Sequence, residues 1–214
     1  MTDFIKIMEF VGTVAFAVSG ALVAIDANLD LFGVIFVACI TAVGGGILRD
    51  MLLGVHPPFI FQNYHLCLVA VAVASIVFII AYFKKKEFQK FRFRIESINN
   101  IFDAFGLAAF TVTGAGVAYS AGFGGSGFTV VAIGMITGVG GGIFRDIITN
   151  TTPYVFKKHI YAIASILGSI LYYVCRALAM TEGWTVALPV VLVVGIRILA
   201  TKYRWSLPKI HMEE

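Results

Sequence analysis

Two Arg-Asp pairs carry most of the chemistry this sequence offers. Arg49-Asp50 and Arg145-Asp146 each follow shortly after three consecutive glycines, Gly44, Gly45 and Gly46 in one case and Gly140, Gly141 and Gly142 in the other. The two stretches, ITAVGGGILRD at 40–50 and ITGVGGGIFRD at 136–146, agree at nine of eleven positions across an offset of 96 residues. A guanidinium and a carboxylate inside an apolar run are costly in lipid, and such residues mark pathways and functional sites by default. Two chemistries fit. In one, arginine and aspartate from the two stretches pair and lock their helices together. In the other, the charges act directly on a conducted ion, with the aspartates neutralising arginines that would otherwise repel cations. The glycines remove side chains from nearly a turn of helix and weaken it by roughly 1 kcal/mol each relative to alanine. A hinge or unwound segment there would present backbone carbonyls to a cation path. Glycines used only for close helix packing, as in Gly134-xxx-Gly138-xxx-Gly142, are the alternative.

Four hydroxyls are placed by the same repetition. Gly12, Phe16, Ser19 and Gly20 fall on Gly106, Phe110, Thr113 and Gly114 at an offset of 94, and Thr41 falls on Thr137 at 96. Ser19, Thr113, Thr41 and Thr137 either line a pore, as intramembrane polar groups facing a cavity do, or bond back to a carbonyl of their own helix.

The elements that must position these groups are membrane spans. The 214 residues are 59% hydrophobic and 13% charged, with mean hydropathy +0.93; a soluble domain carries about 25% charge. Runs of about 20 apolar residues predict seven spans in an all-α membrane protein: 7–25, 31–55, 64–83, 101–121, 128–150, 160–180 and 184–201. Repeat one is 7–83, repeat two is 101–180, a basic loop occupies 84–98, and the seventh helix, 184–201, has no partner. His56-Pro57-Pro58 and Thr151-Thr152-Pro153 close spans two and five. The acidic N-terminus MTDFIKIMEF, with no small-residue cleavage site following, reads as an uncleaved first span.

Basic residues set the orientation. Lys84, Lys85, Lys86, Lys90, Arg92 and Arg94, then Lys157 and Lys158, then Lys202, Arg204 and Lys209 all fall on one side, against Lys6 and Arg176 on the other. That side is expected to be cytoplasmic, with the N-terminus outside. Three spans per repeat then invert the second repeat relative to the first, the architecture of many transporters, and bring the glycine triplets together near the midplane.

Other chemistries find little support. GGGILRD lacks the Lys-Ser/Thr of a phosphate loop. His56, His65, His159 and His211 have no ligand spacing, and Cys39, Cys67 and Cys175 read as small buried hydrophobes. Asp103 reads as a helix start. The net charge of +4 is explained by loop topology rather than nucleic acid, and the basic loop with its interleaved phenylalanines is either a topological signal or a contact for anionic lipid. No hydrolytic constellation, metal site or cofactor is expected.

The doubled GGGxxRD element, in two three-span repeats plus a lone span, resembles the prokaryotic relatives of the trimeric intracellular cation (TRIC) channels; related bacterial sequences are also labelled glycine-transporter-like. The resemblance implies a homotrimer with a potassium-permeable pore inside each subunit, lined by spans two and five kinked at Gly44, Gly45, Gly46 and at Gly140, Gly141, Gly142. The Lys-Glu-Val lipid-binding motif of the animal channels is missing from span two. The leading expectation is a monovalent cation channel of a bacterial or archaeal inner membrane, conducting potassium or sodium. The alternatives are a secondary transporter for a small zwitterion such as glycine, with Arg49 or Arg145 holding its carboxylate, and a scaffold whose glycines only pack helices.

Overall fold

A computed structural model describes residues 3–62, 64–90, 92–157 and 160–205. Lys158, His159, Lys209 and His211 lie outside the described residues, as do the side chains of Arg92, Arg94 and Lys157, so part of the basic residues counted for orientation has no structural counterpart here.

Among the described residues ten α-helices follow one another: α1 Asp3–Asp26, α2 Leu31–Leu52, α3 Phe59–Gln62, α4 His65–Phe83, α5 Lys85–Lys90, α6 Arg92–Ser120, α7 Gly127–Ile148, α8 Tyr154–Lys157, α9 Tyr161–Ala177 and α10 Glu182–Lys202, with a 3-10 turn at Phe123–Gly125. No strand occurs among the described residues. Among the described residues six helices, α1, α2, α4, α6, α7 and α10, are long and apolar enough to cross a membrane. The seventh predicted span corresponds in order to α10; the sixth corresponds to α9, which at 17 residues is shorter than the others. Phe32, Phe36, Ile76, Ile79 and Val191 are exposed on the outer surface, as expected where lipid is the solvent.

Local sequence explains the helix starts. Asp30 precedes α2 and accepts a hydrogen bond from the Gly33 amide at 2.8 Å; Ser126 precedes α7 and accepts from Thr129 at 3.3 Å. Both are N-caps satisfying an otherwise orphaned amide. In α9 the buried residues Tyr161, Ala164, Ser165, Gly168, Ser169 and Tyr172 recur at helical spacing, giving one inward stripe. Helices α1 and α6 form the centre. Of the most apolar stretch of α6, 78% is buried, against 17% for α4, so α4 is a peripheral helix.

The glycine segments differ from expectation. Both α2 and α7 are α-helical straight through Gly44–Gly46 and Gly140–Gly142, so neither helix is unwound or broken there. A Cβ on Gly45 would fall on the carbonyl oxygen of Thr137, and one on Gly141 would fall on the carbonyl oxygen of Thr41. Backbones this close fit Cα–H···O=C contacts, which recur at helix–helix interfaces, and small residues permit the approach. Residues rising from 41 to 45 in α2 meet residues falling from 141 to 137 in α7, so the two helices cross antiparallel.

Candidate functional site: two buried ion clusters flanking a glycine crossing

The antiparallel crossing decides where the charges go. Arg49 lies four residues beyond Gly45 and Arg145 four beyond Gly141, in opposite directions. At 1.5 Å per residue they are about 18 Å apart along the helix axes. The expected pairing of arginine and aspartate across the two halves is therefore absent. The ion pairs of each arginine instead lie within its own half of the chain.

In the second half, Arg145 is fully buried. Its Nε donates to Asp146 Oδ1 at 2.8 Å, and its NH1 donates to Asp103 Oδ1 at 2.7 Å and to Ser19 Oγ at 2.6 Å. Asp103 is no helix start: it sits well inside α6, is 0% exposed, and also faces Arg197 NH2 of α10 at 3.7 Å. The Tyr161 hydroxyl donates to Asp103 Oδ1 at 3.3 Å, and the Arg197 guanidinium stands over the Tyr161 ring at 4.6 Å, a cation–π geometry. Asp146 turns its other oxygen, Oδ2, to the Tyr154 amide at 2.7 Å, tying the loop behind Pro153 to the cluster. Burial pushes the Tyr154 phenol above its ordinary pKa, so it stays neutral beside Arg145, whose guanidinium lies 5.0 Å over its ring.

The first half repeats this with less filling. Arg49 Nε donates to Asp50 Oδ1 at 2.8 Å, and Asp50 Oδ2 accepts from the Phe59 amide at 2.8 Å. The place of Asp103 is taken by Glu9 of α1, whose Oε1 is 3.7 Å from Arg49 NH1; the 94-residue offset that carries Gly12 to Gly106 also carries Glu9 to Asp103. Among the described residues Thr113, the counterpart of Ser19, has no hydrogen-bond partner for its hydroxyl, and neither does Arg49 NH1. From Asp50 to Phe59 is nine residues and from Asp146 to Tyr154 eight, so Leu66 takes the place of Tyr161. A cavity opens here, lined by Glu9, Thr13, Gly46, Arg49, Asp50 and Phe110. It has about 20 Å³ of space for the centres of water-sized spheres, enough for a single water.

Between the clusters the centre is apolar. The rings of Phe16 and Phe110 stack with centroids 5.3 Å apart, and each would be struck by a Cβ on the other's neighbouring helix position, Gly106 or Gly12. Thr41 and Thr137 donate back to Val37 and Ile133 of their own helices at 2.6 Å and pack on Gly20 and Gly114. Of the four hydroxyls singled out, then, Ser19 joins an ion cluster, Thr113 is buried with no partner among the described residues, and Thr41 and Thr137 serve their own backbones. Of the six glycines, Gly45 and Gly141 form the crossing itself. A Cβ added at Gly44 would stand 2.7 Å from the Phe144 ring, one at Gly140 2.9 Å from Leu48 and one at Gly142 3.2 Å from the Tyr161 hydroxyl, all tight, whereas at Gly46, with its nearest neighbour at 3.8 Å, there is room for a methyl group. No group of three or more metal-ligating side chains exists among the described residues. The three cysteines are free; Cys175 is buried, and Cys39 and Cys67 only partly so.

Sequence reasoning missed Glu9, Tyr161 and Arg197 and misread Asp103. Two signals were available. The repeat offset places an acid at both position 9 and position 103, and Arg197 stands alone in the apolar run ALPVVLVVGIRILA.

Comparisons with known proteins agree on a single family. A family model described as glycine transporter matches residues 6–82 and 100–177, two segments that correspond to the two halves described above. The inner membrane protein YadS of Escherichia coli K12, a UPF0126 protein, is 33% identical over 210 residues, 97% of this chain and 96% of that one. The crystal structure of a prokaryotic TRIC channel in 0.5 M KCl superposes with a TM-score of 0.84 at 33% identity, covering 97% of this chain and all of the other. The TRIC trimeric intracellular cation channel orthologue from Rhodobacter sphaeroides superposes with a TM-score of 0.85 at 27% identity, over 95% of this chain and all of the other. This multi-pass membrane chain belongs to the glycine-transporter-model family, which joins the UPF0126 membrane proteins to the prokaryotic TRIC channels.

Proposed function

We propose that the chain is a potassium-permeable monovalent cation channel, with a path inside each subunit that runs past both ion clusters between α1, α2, α6 and α7. The observation that carries this reading is the charge of the buried interior. Glu9, Asp50, Asp103 and Asp146 supply four carboxylates, and Arg49, Arg145 and Arg197 supply three guanidiniums. A column of polar side chains inside a membrane bundle with net negative charge favours cations over anions, and the solved channels of the same fold are described as cation channels. Phe16 and Phe110 form the constriction, closed by dewetting until the rings part. Without a ring of backbone carbonyls, discrimination between potassium and sodium is weak.

Two inverted three-span repeats, 7–83 and 101–180, with the seventh helix 184–201 in α10, make a single membrane domain. It assembles as a homotrimer in an inner membrane, N-terminus outside and C-terminus cytoplasmic. The basic loop 84–98 faces the cytoplasmic headgroups. In a planar bilayer with a tenfold KCl gradient, the reversal potential should lie close to the potassium equilibrium value; a reversal near the chloride value would refute cation selectivity.

One observation favours a second reading, a transporter for a small zwitterion. In the first-half cavity, Arg49 NH1 lacks a hydrogen-bond partner while the Glu9 carboxylate stands 3.7 Å away, a pairing that matches a ligand carboxylate and ammonium. Saturable, gradient-coupled uptake of labelled glycine would establish it.

A further inference from the structure

In their charged side chains the two clusters are alike but for one. Glu9 and Asp103, Arg49 and Arg145, and Asp50 and Asp146 occupy equivalent places. Helix α10 breaks the equivalence, because it packs against the second half of the chain and brings Arg197 there. Arg197 is 2% exposed, with NH2 3.7 Å from Asp103 Oδ2. The second cluster therefore holds two carboxylates and two guanidiniums and is neutral. The first holds Glu9, Asp50 and Arg49; among the described residues, the ion pairs of Glu9 and Asp50 are with Arg49 alone. It keeps one uncompensated negative charge, beside a cavity. Exposed charges at either end, such as Lys6, Asp3, Lys84 and Glu87, are screened by salt, whereas buried ones are screened far less. The buried imbalance dominates.

Resting on the cation-channel reading above, we infer that Arg197 of α10 sets the direction in which the channel prefers to conduct: it silences the acids of the second cluster and leaves Glu9 and Asp50 as the cation-attracting mouth. A negatively charged mouth raises the local cation concentration, so cations entering past Glu9 should pass more readily than cations entering past Asp103. Arg197 touches neither Arg145 nor the glycine crossing through a hydrogen bond; it acts through Asp103, as a residue that sets charge.

Single-channel current–voltage curves in symmetric KCl test this, with protein added from one chamber so that insertion has one sense. The unaltered chain should rectify, carrying roughly threefold more current in one direction, the order expected of one partly screened charge near a pore mouth. Arg197→Gln should bring the weaker direction up to the stronger, and Arg197→Lys, which keeps the charge, should rectify like the unaltered chain. Glu9→Gln should bring the stronger direction down to the weaker. Combining Arg197→Gln with Asp103→Asn restores neutrality in the second cluster and should restore rectification, an outcome that a purely structural role for Arg197 does not produce. Should Arg197→Gln not fold, Glu9→Gln and Arg197→Lys still decide the matter. If the unaltered chain conducts but its curve is linear, or if Arg197→Gln or Glu9→Gln rectifies unchanged, the inference is wrong and the channel reading stands. If the unaltered chain carries no current, the channel reading falls first and takes the inference with it.

Discussion

Arg145, like its partner Asp103, is a fully enclosed charge, and its environment makes a quantitative demand. Its guanidinium is held by Asp146, Asp103 and Ser19 at 2.6–2.8 Å. Removing one partner of a buried pair leaves an unpaired charge and costs about 3–5 kcal/mol. Arg145→Ala should therefore abolish folded protein or lower its melting temperature by more than 10 °C, whereas Ser19→Ala, which deletes one neutral acceptor, should cost about 1–3 kcal/mol. Thermal unfolding in detergent measures both. The glycines give a sharper contrast. Gly45→Ala and Gly141→Ala each drive a methyl group onto a carbonyl oxygen of the facing helix, with a cost of at least 1–3 kcal/mol from overpacking. Gly46→Ala meets nothing nearer than the Arg49 guanidinium at 3.8 Å and should be neutral or gain up to about 1 kcal/mol from helix propensity. Equal effects at positions 45 and 46 would contradict the crossing described here. At this scale the sequence announced the arginines, aspartates and glycines, because charge and repetition stand out against apolar residues. It did not announce that Asp103 is buried. An acid near the start of an apolar run looks like a cap until the helix is seen to begin eleven residues earlier.

Among the elements, six of the expected spans correspond to helices long and apolar enough to cross a membrane, because lipid demands long apolar stretches with every backbone group satisfied; α6 begins at Arg92, nine residues before the expected start at 101. The same demand explains why the expected break at the glycines is missing. Three glycines would weaken a helix in water, but inside a membrane an unwound turn strands amides and carbonyls at several kcal/mol apiece, and the helix survives. What the glycines supply is proximity between α2 and α7. On the proposed channel reading, that proximity leaves the constriction to the Phe16 and Phe110 rings on α1 and α6. Replacing Phe110 with Thr puts a hydroxyl beside the cavity and should raise basal cation flux severalfold in liposomes; flux unchanged from the parent would place the constriction elsewhere. No pattern in the sequence distinguished these two phenylalanines from the other seventeen except their equivalence at offset 94, and the part of α10 in the second cluster rests on one arginine.

The whole molecule is organised about the antiparallel crossing of α2 and α7, with similar ion clusters on either side of it and a last helix that makes them unequal. Exposed apolar side chains such as Phe32, Phe36 and Val191 leave ample surface for lipid and for neighbouring subunits. The purified protein in mild detergent should have the mass of a trimer after correction for detergent, and a monomeric mass under the same conditions would contradict the proposed assembly. The central claim, that this chain conducts cations, is tested most directly by potassium flux from liposomes reconstituted with the purified protein. Passive, non-saturating potassium efflux should exceed the empty-vesicle rate across a range of imposed voltages. Efflux equal to that of empty vesicles, together with saturable uptake of glycine by the same preparation, would contradict it.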